Sequence, residues 1–402
     1  MVSAKVGLSD GDKKVPCKNF NLDMNLDNAE MMLQMPSTEE QAKQIVNNRK
    51  YPTGYNPLCP SIFIIKFLSA LLIITMISLM VFFVCKRYEN SQKIIQFEQV
   101  YNDFILKYDR KYPTIEEFEY RFAIFVKNIK EMEEEEKRHP GLDLDVNEFT
   151  DWTDEELRKM ILDRENEKLD FAPPPYNKQY LENGVKRPAS IDYRDQGKLT
   201  PVKNQGQCGS CWAFATVASV EAQYAIKKGK LVALSEQELV DCDNRNNGCN
   251  GGYRPYAMRF VKENGLETEK DYPYEAKKHD QCSLIQNYTK IFIDGSRMLS
   301  SNEEDVADWV GTKGPVTFGM QVVKAMYSYR SGIFKPTEED CAEKSMGSHA
   351  LTIVGYGDEG HGAYWIVKNS WGTSWGANGY FRLARGVNSC GMANTVVAPI
   401  IN

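Results

Sequence analysis

The sequence predicts an α+β chain in which an apolar helix and a charged helical region precede a globular C-terminal half. An uncharged apolar run at 67–85 is about as long as a bilayer is thick. Residues 97–165 carry apolar side chains at helical spacing. From Pro188 onward the chain is rich in glycine and aromatic residues, with short strand-like runs at 350–355 and 364–368.

Length and charge narrow the classes of function. A chain of 402 residues favours two or three units, and its 42% hydrophobic content is enough for a sizeable core. The net charge of −6 and the absence of a dense basic run argue against a nucleic-acid partner.

The N-terminal fifth predicts a tail and an anchor. Residues 1–60 are polar without a period and are interpreted as a disordered cytosolic tail. Residues 61–86 contain a single charge, Lys66, before Lys86, and are interpreted as a membrane-spanning helix. A signal peptide is disfavoured because the run starts about sixty residues in, is too long and lacks a small-residue cleavage site. A buried core helix is the alternative.

Cysteine placement predicts the orientation of that anchor. Seven of the ten cysteines follow residue 200, so six can pair and one is left over as a reactive or merely buried thiol. Disulfides would place this half outside the cytosol, and Asn287 begins a glycosylation sequon. Basic residues flank both ends of the helix, so the distribution of positive charge does not decide its orientation in the membrane. We therefore expect a type II protein with its C-terminal half luminal or extracellular, in the endolysosomal system or at the cell surface.

A helix that packs on another surface is predicted within 97–165. Apolar residues form one stripe, and the Glu131–Glu136 cluster is expected to end the helix. The members of the stripe are Phe118, Phe122, Phe125, Ile129 and Met132. Residues 166–187 hold three consecutive prolines and Gly184 among charges, which predicts an exposed linker.

The segment QGQCGSCWAF at 205–214 carries the chemistry. A polar, glycine-rich loop runs into an apolar helix former, so Cys211 should begin a helix whose dipole stabilises a thiolate. A nucleophilic thiolate needs a base, usually histidine. Among four histidines, His349 opens a strand-like apolar run, whereas the others lie in charged or turn segments. Asn369, followed by Trp371, could orient the imidazole and shield it from water.

These motifs, Gln-x5-Cys-Trp, Ser-His-Ala and Asn-Ser-Trp-Gly in this order, resemble the papain-like cysteine peptidases of the cathepsin L and F types. The resemblance covers about residues 97–402 and implies a two-lobe fold, a helical lobe plus a β-barrel-like lobe. It implies Cys211 as nucleophile, His349 as acid and base, Asn369 as orienter and Gln205 as an oxyanion donor. It implies a monomeric mature enzyme that cleaves proteins and peptides without metal or cofactor.

The resemblance also implies three disulfides and a substrate-binding surface. The pairs would be Cys208–Cys249, Cys242–Cys282 and Cys341–Cys390, with Cys211 outside them. Gly251 and Gly252 would approach the substrate backbone. The pocket for the second substrate residue before the cut would be lined by Tyr253, Arg254, Ala350 and Thr395. We expect Arg254 to point outward and the pocket to take Leu or Val.

Upstream, residues 97–165 resemble the family's inhibitory propeptide. Glu117, Arg121, Phe125 and Asn128 match its first motif, and Asn147, Phe149 and Asp151 match its second. Met132, Glu136 and Asp145 depart from the pattern. We expect maturation between about 176 and 188, within the linker, leaving 188–402 as the peptidase domain.

Two other functions compete with peptide hydrolysis. A membrane-displayed binding protein could keep a peptidase fold, but it would be recognised by loss of one of the four active-site residues, and none is lost. Transpeptidation could use the same scaffold, although water in an open cleft favours hydrolysis.

Overall fold

The computed structural model describes residues 60–161, 171–176, 186–283, 289–360 and 362–402. The predicted tail, up to residue 59, lies outside these ranges. So do Asn287 with its sequon and most of the predicted linker. Internal contacts divide the chain into two units, Met1–Val100 and Tyr101–Asn402.

Helix α1 is longer than the sequence predicts. It runs from Pro60 to Lys107 without a break, whereas the predicted anchor ends at residue 86. It carries an 18-residue window of mean hydropathy 2.7, none of which is buried in the protein. By length and composition it is the one helix in the described part of the chain that could cross a membrane.

The predicted amphipathic helix forms as α2, Ile115–Arg138. Thr114 caps it by accepting a hydrogen bond from the Glu117 amide (3.2 Å). The prediction that the glutamate cluster ends this helix is wrong. Glutamate and lysine are good helix formers, and α2 continues two residues past Glu136. Phe125, Ile129 and Met132 of the predicted stripe are buried on one face together with Asn128, whereas Phe122 is half-buried and Phe118 is 38% exposed.

The remaining helices are short except one. Helix α4 is 18 residues long and is buried along most of its length. The other α-helices are α3 (Asp154–Arg158), α5 (Glu236–Cys242), α6 (Arg254–Asn264), α7 (Glu303–Thr312) and α8 (Glu338–Glu343), with α4 at Cys211–Lys228. Two 3₁₀ turns lie at Lys324–Ser328 and Ser389–Gly391.

An eight-stranded, mainly antiparallel sheet forms the second half of the domain. In the described part of the chain the strands are β1 (Asp143–Leu144), β2 (Ile191–Asp192), β3 (Gly295–Met298), β4 (Val316–Val323), β5 (Tyr329–Ser331), β6 (Ile333–Phe334), β7 (Ser345–Glu359), β8 (Gly362–Lys368), β9 (Tyr380–Ala384) and β10 (Val396–Ile400). The sheet order is β3-β10-β4-β7-β8-β9-β6, and β2 also pairs with β7. The strands β1 and β5 form a separate pair.

Strand β7 joins the two halves. It begins four residues before His349, so the expectation that this histidine opens the strand is wrong. Strand β4 covers one edge of β7 and β8 the other. Helix α4 packs on β7, where Thr352 donates its hydroxyl to the Ala215 carbonyl (3.2 Å). His349 is therefore held by a central, doubly paired strand.

Three disulfides have both of their cysteines within the described residues, and they are the pairs that the resemblance implies. Cys208–Cys249 and Cys242–Cys282 lie in the helical half, and Cys341–Cys390 joins α8 to the 3₁₀ turn at Ser389–Gly391. None of them includes Cys211. Each closes a loop of about forty to fifty residues, which on a chain-entropy basis stabilises the fold by roughly 4 kcal/mol.

An aromatic cluster ties α1 to α2 and generates a stability prediction. The fully buried Phe125 ring lies 4.9 Å from the Tyr101 ring and 5.0 Å from that of Phe104. Phe125→Ala should lower the free energy of unfolding by about 3–5 kcal/mol, because it leaves a cavity in a packed cluster. Denaturant unfolding of the zymogen measures this loss. The matched control, Tyr120→Ala, removes a ring that is 54% exposed and should change stability by less than about 0.5 kcal/mol. Equal losses would contradict the packing argument.

Candidate active site

The loop before α4 is tied down on several sides. Gly209 donates its amide to the Cys249 carbonyl (2.8 Å), next to the disulfide of Cys208. A Cβ at position 209 would lie 2.5 Å from that carbonyl oxygen, so only glycine fits. The Tyr274 hydroxyl donates to the Gln205 carbonyl (2.9 Å) and shares a hydrogen bond of 2.6 Å with Ser210. These hydrogen bonds and the disulfide hold the start of α4 in a single position.

Cys211 is the first residue of α4, as predicted, and is fully buried. The Ala350 amide lies 3.5 Å from its Sγ and donates to it. The sulfur thus meets both a helix N-terminus and a strand amide. Both favour negative charge on the sulfur, which is what a nucleophilic thiolate requires.

His349 and Asn369 form the second part of the site. His349 Nε2 lies 2.8 Å from Asn369 Oδ1, which also accepts the Ser370 amide at 2.8 Å. The Asn369 side-chain oxygen can only accept hydrogen bonds, as it does from the Ser370 amide. The proton in its bond with His349 is therefore carried by Nε2. His349 Nδ1 is buried and makes no hydrogen bond to any described residue. This tautomer leaves Nδ1 as the nitrogen that can accept a proton.

Trp371 covers the imidazole, as expected from its position after Asn369. The His349 and Trp371 rings stack with centroids 4.8 Å apart, and Trp371 is fully buried. Tyr327 stacks on the far face of Trp371 at 4.7 Å and 4°. Sequence reasoning missed Tyr327, because it lies more than forty residues from Trp371 on another element and belongs to no recognised motif. These rings keep water from the bond between His349 and Asn369.

Gln205 is oriented by the same segment. Its Oε1 accepts the Ser370 hydroxyl at 2.7 Å, and its backbone amide donates to the Ser370 carbonyl at 2.9 Å. The side-chain Nε2 therefore faces the site, where it donates to the Met160 carbonyl at 2.8 Å. A propeptide carbonyl thus occupies the donor that would hold a substrate oxyanion.

The propeptide-like segment docks on β5 and on the 3₁₀ turn that precedes it. Strand β1 pairs antiparallel with β5, and Asn147 Nδ2 donates to the Tyr327 carbonyl (2.7 Å). The Phe149 ring packs edge-on against Trp371 at 5.8 Å and against Tyr327 at 6.1 Å. The second propeptide motif therefore lies on the rings that shield the imidazole.

The chain then passes through the site. The Tyr327 hydroxyl donates to the Leu157 carbonyl (3.0 Å), and Arg158 donates to the Met346 carbonyl (2.6 Å). Past Met160, which binds Gln205, the next described stretch lies along β3. There the Tyr176 amide donates to the Met298 carbonyl at 2.7 Å. The described contact at the site is therefore that of the Met160 carbonyl with Gln205.

Two of the three departures from the propeptide pattern, Glu136 and Asp145, make hydrogen bonds of their own. Glu136, expected as asparagine, accepts the Leu144 amide at 2.8 Å and so connects α2 to β1. Asp145, expected as glycine, donates its amide to the Ser328 carbonyl at 2.9 Å. Its carboxylate lies 3.6 Å from Arg330. Glu136 therefore holds the segment together internally, and Asp145 keeps it attached to the C-terminal domain.

Burial governs the charge of the imidazole. Burial is the main reason that the pKa of His349 is lowered to about 4; the Asn369 hydrogen bond opposes this lowering, and the nearby Arg254 cation adds to it. His349 is therefore neutral above about pH 4 in the zymogen. A neutral imidazole can accept a proton but does not pair electrostatically with a thiolate.

The glycine segment before α6 packs closely. A Cβ at Gly252 would lie 2.6 Å from the Trp212 ring, and the Gly251 carbonyl accepts the Asn247 amide at 2.9 Å. Tyr253 donates its amide to Asn246 (2.6 Å) and is half-buried. The glycines thus let this loop lie against the aromatic ring that follows Cys211.

The expectation that Arg254 points outward is wrong. The residue is 7% exposed, and its Nη2 donates to the Thr395 carbonyl at 3.0 Å. A Cβ at Gly319 would lie only 2.6 Å from its Nη1, so the guanidinium occupies space that a glycine leaves open. Ala350 is buried beside it on the neighbouring strand. Of the four residues predicted to line a pocket, Arg254 contacts Thr395 directly and lies over Gly319, the strand partner of Ala350, with its cation buried.

Comparisons with known proteins agree with this architecture. The model of the papain family cysteine proteases matches residues 187–400, and that of the cathepsin propeptide inhibitor domain matches residues 101–157. Papaya proteinase 4 of Carica papaya is 38% identical over 76% of this chain and 87% of its own length. Procathepsin L of Rattus norvegicus is 37% identical over 76% of this chain and 94% of its own.

A solved zymogen structure gives the same result. Digestive procathepsin L2 of Tenebrio molitor superposes with a TM-score of 0.71 at 36% identity, covering 76% of this chain and all of that one. The chain therefore belongs to the papain family of cysteine proteases, and it is a zymogen that carries its own inhibitory propeptide.

Proposed function

We propose that this protein is a cysteine endopeptidase in which Cys211 attacks peptide carbonyls and His349 transfers the protons. The hydrogen bond from His349 Nε2 to Asn369 carries this proposal, because it fixes the tautomer and leaves Nδ1 to serve the thiol. The Ala350 amide at 3.5 Å places the Cys211 sulfur at the same strand. The arrangement is a nucleophile, a base and an orienting group in series.

The geometry supports acyl transfer in two stages. His349 Nδ1 takes the proton from Cys211 Sγ, and the thiolate attacks the substrate carbonyl carbon. Gln205 Nε2, with the Cys211 backbone amide, holds the oxyanion, and the imidazolium then protonates the leaving amine. A water that loses its proton to His349 hydrolyses the thioester and restores the thiol. Trp371 keeps the imidazole in place throughout.

The propeptide would inhibit by occupying this machinery. Met160 satisfies the donor of Gln205, and Phe149 covers the aromatic rings around the imidazole. Charged pairs hold the propeptide at the periphery: Arg138 with Asp340 (3.2 Å), and Lys324 with Glu131 and Asp154 (2.6 Å each). Cutting the linker between about 176 and 188 would permit its release.

We also propose that α1 anchors the zymogen as a type II membrane protein. Its apolar window is unburied, which disfavours a core helix, and it begins about sixty residues into the chain, which disfavours a signal peptide. Three disulfides support an oxidising compartment for the peptidase domain, endolysosomal or at the cell surface. The mature domain would be a released monomer that cleaves proteins and peptides.

The first test concerns the catalytic roles. Cys211→Ala should abolish peptide hydrolysis, because no nucleophile is left. Asn369→Ala should lower kcat by less than the ~10²–10⁴-fold that acid–base catalysis is worth, because it only loosens the imidazole. Both are measured on enzyme whose linker has been cut by an added protease. Full activity in Cys211→Ala would end the assignment. An Asn369→Ala loss equal to that of Cys211→Ala would contradict the orienting role.

The second test concerns release of the propeptide by acid. Burial raises the pKa of Asp340 and of Asp154, but hydrogen bonds from Lys344, Thr337 and Arg138 to the first, and from Lys324 to the second, hold both below the usual value. Carboxylates with a lowered pKa stabilise the docked propeptide while they are ionised, above about pH 4. This stabilisation is lost as the pH falls further and they take up protons. The segment 97–165 should therefore inhibit the mature enzyme in trans at micromolar concentration between pH 7 and 5.

Inhibition should weaken below about pH 4, as followed by the binding of that segment to Cys211→Ala enzyme. The matched control is Arg138→Met in the segment, which removes the pair with Asp340. It should bind more weakly at pH 5–7 and show a smaller further loss below pH 4. A steep loss of binding between pH 7 and 5 would contradict the assignment to these carboxylates.

The third test concerns topology. In cells, Asn287 should carry a glycan and Cys17 should remain a reduced cytosolic thiol, because the chain crosses the membrane once at α1. Deglycosylation should shift the mass of the wild-type protein, and Asn287→Gln should remove that shift. Labelling of Cys17 by an impermeant reagent in intact cells would overturn the orientation. Digestion of the peptidase domain by a protease added to the cytosolic side of sealed membranes would overturn it as well.

A further inference from the structure

A buried cation lies beside the nucleophile. Gly319 in β4 stands directly opposite Ala350 in β7, and Ala350 is the residue whose amide reaches Cys211 Sγ at 3.5 Å. The guanidinium of Arg254 fills the space over Gly319. One strand pairing therefore separates this positive charge from the sulfur.

The position of this cation is imposed by the fold. Arg254 is the first residue of α6, directly after the loop that packs on Trp212. The Thr395 carbonyl, just before β10, holds Nη2 at 3.0 Å. With only glycine at 319, no side chain on β4 pushes the guanidinium out. Two separate elements thus direct it inward.

The chemistry of the guanidinium defines what it can recognise. Arginine stays protonated at every physiological pH, and its planar fork matches a carboxylate in two parallel hydrogen bonds. An apolar side chain entering the same space would desolvate the cation without pairing with it, which is unfavourable. The field of Arg254 reaches the active site, because it contributes to the low pKa of His349.

We propose that Arg254 is a specificity residue that selects an acidic side chain, Asp or Glu, at the second substrate position before the cut. The proposal rests on the peptidase function above and replaces the expectation of Leu or Val. The carboxylate pairs with the guanidinium against the small wall formed by Gly319 and Ala350. Proteins with an acidic residue two positions before the cut are the substrate class.

The test uses peptides that differ only at that position, with Glu, Gln or Leu. Glu and Gln share a shape, so their ratio measures charge recognition. On wild-type enzyme, kcat/KM for Glu should exceed that for Gln by about tenfold or more, as expected for a hydrogen bond between charged groups. The ratio should fall with added salt, and also below about pH 4, where the substrate Glu is protonated.

Variants assign the effect to one side chain. Arg254→Met should abolish the Glu over Gln preference and raise the Leu rate relative to both. Arg254→Lys should retain part of the preference, because it keeps the charge but loses the fork. The matched control is Arg259→Met, which removes a more exposed arginine, paired with Glu263, from the same helix. It should leave the ratio unchanged.

The outcomes separate the two proposals. Equal rates for Glu and Gln on wild-type enzyme, or a Glu preference that survives Arg254→Met, overturn the specificity while hydrolysis of the Leu peptide leaves the peptidase function standing. Absence of hydrolysis of all three peptides by wild-type enzyme overturns both. Loss of the preference in Arg254→Met together with its partial survival in Arg254→Lys supports the proposal.

Discussion

The packing of α4 on β7 is the constraint on which the site depends. Cys211 and His349, the proposed nucleophile and base, are 138 positions apart, and they meet because the N-terminus of the helix abuts the strand at Ala350. A misplacement of about 1 Å in such a pair can cost a hundredfold in rate. The disulfide of Cys208, the bonds of Tyr274 and the double pairing of β7 all restrict this one contact.

The propeptide inhibits by using the surfaces that support catalysis. Tyr327 stacks on the tryptophan that shields His349, and the same residue binds Asn147 and Leu157 of the propeptide. Gln205 offers its amide to a propeptide carbonyl as it would to an oxyanion. Burial of His349, whose covering Trp371 ring is contacted by Phe149, lowers its pKa and keeps the imidazole neutral above about pH 4. The hydrogen bonds of His349 to Asn369 and of Gln205 to Ser370 are already in place beneath these propeptide contacts.

Local patterns in the sequence predicted the elements that local chemistry governs. The glycine-rich loop running into an apolar segment predicted the helix start at Cys211, and the spaced aromatic residues predicted the buried face of α2. Boundaries were less predictable. The glutamate cluster did not end α2, and His349 lies within its strand, because helix propensity and strand pairing extend elements beyond their apolar cores.

By itself, the sequence determined the chemistry: a thiol at a helix start, a histidine on an apolar strand, an orienting asparagine, and a family resemblance that supplied the disulfide pairs. Only the tertiary structure decided where long side chains go. The direction of Arg254 depends on a missing side chain at Gly319 and on the carbonyl of Thr395, residues 65 and 141 positions away. Tyr327 likewise joins the site through a contact with a residue that is distant in the sequence, Trp371. Contacts between distant segments follow from how the sheet and helices pack, and no local pattern encodes them.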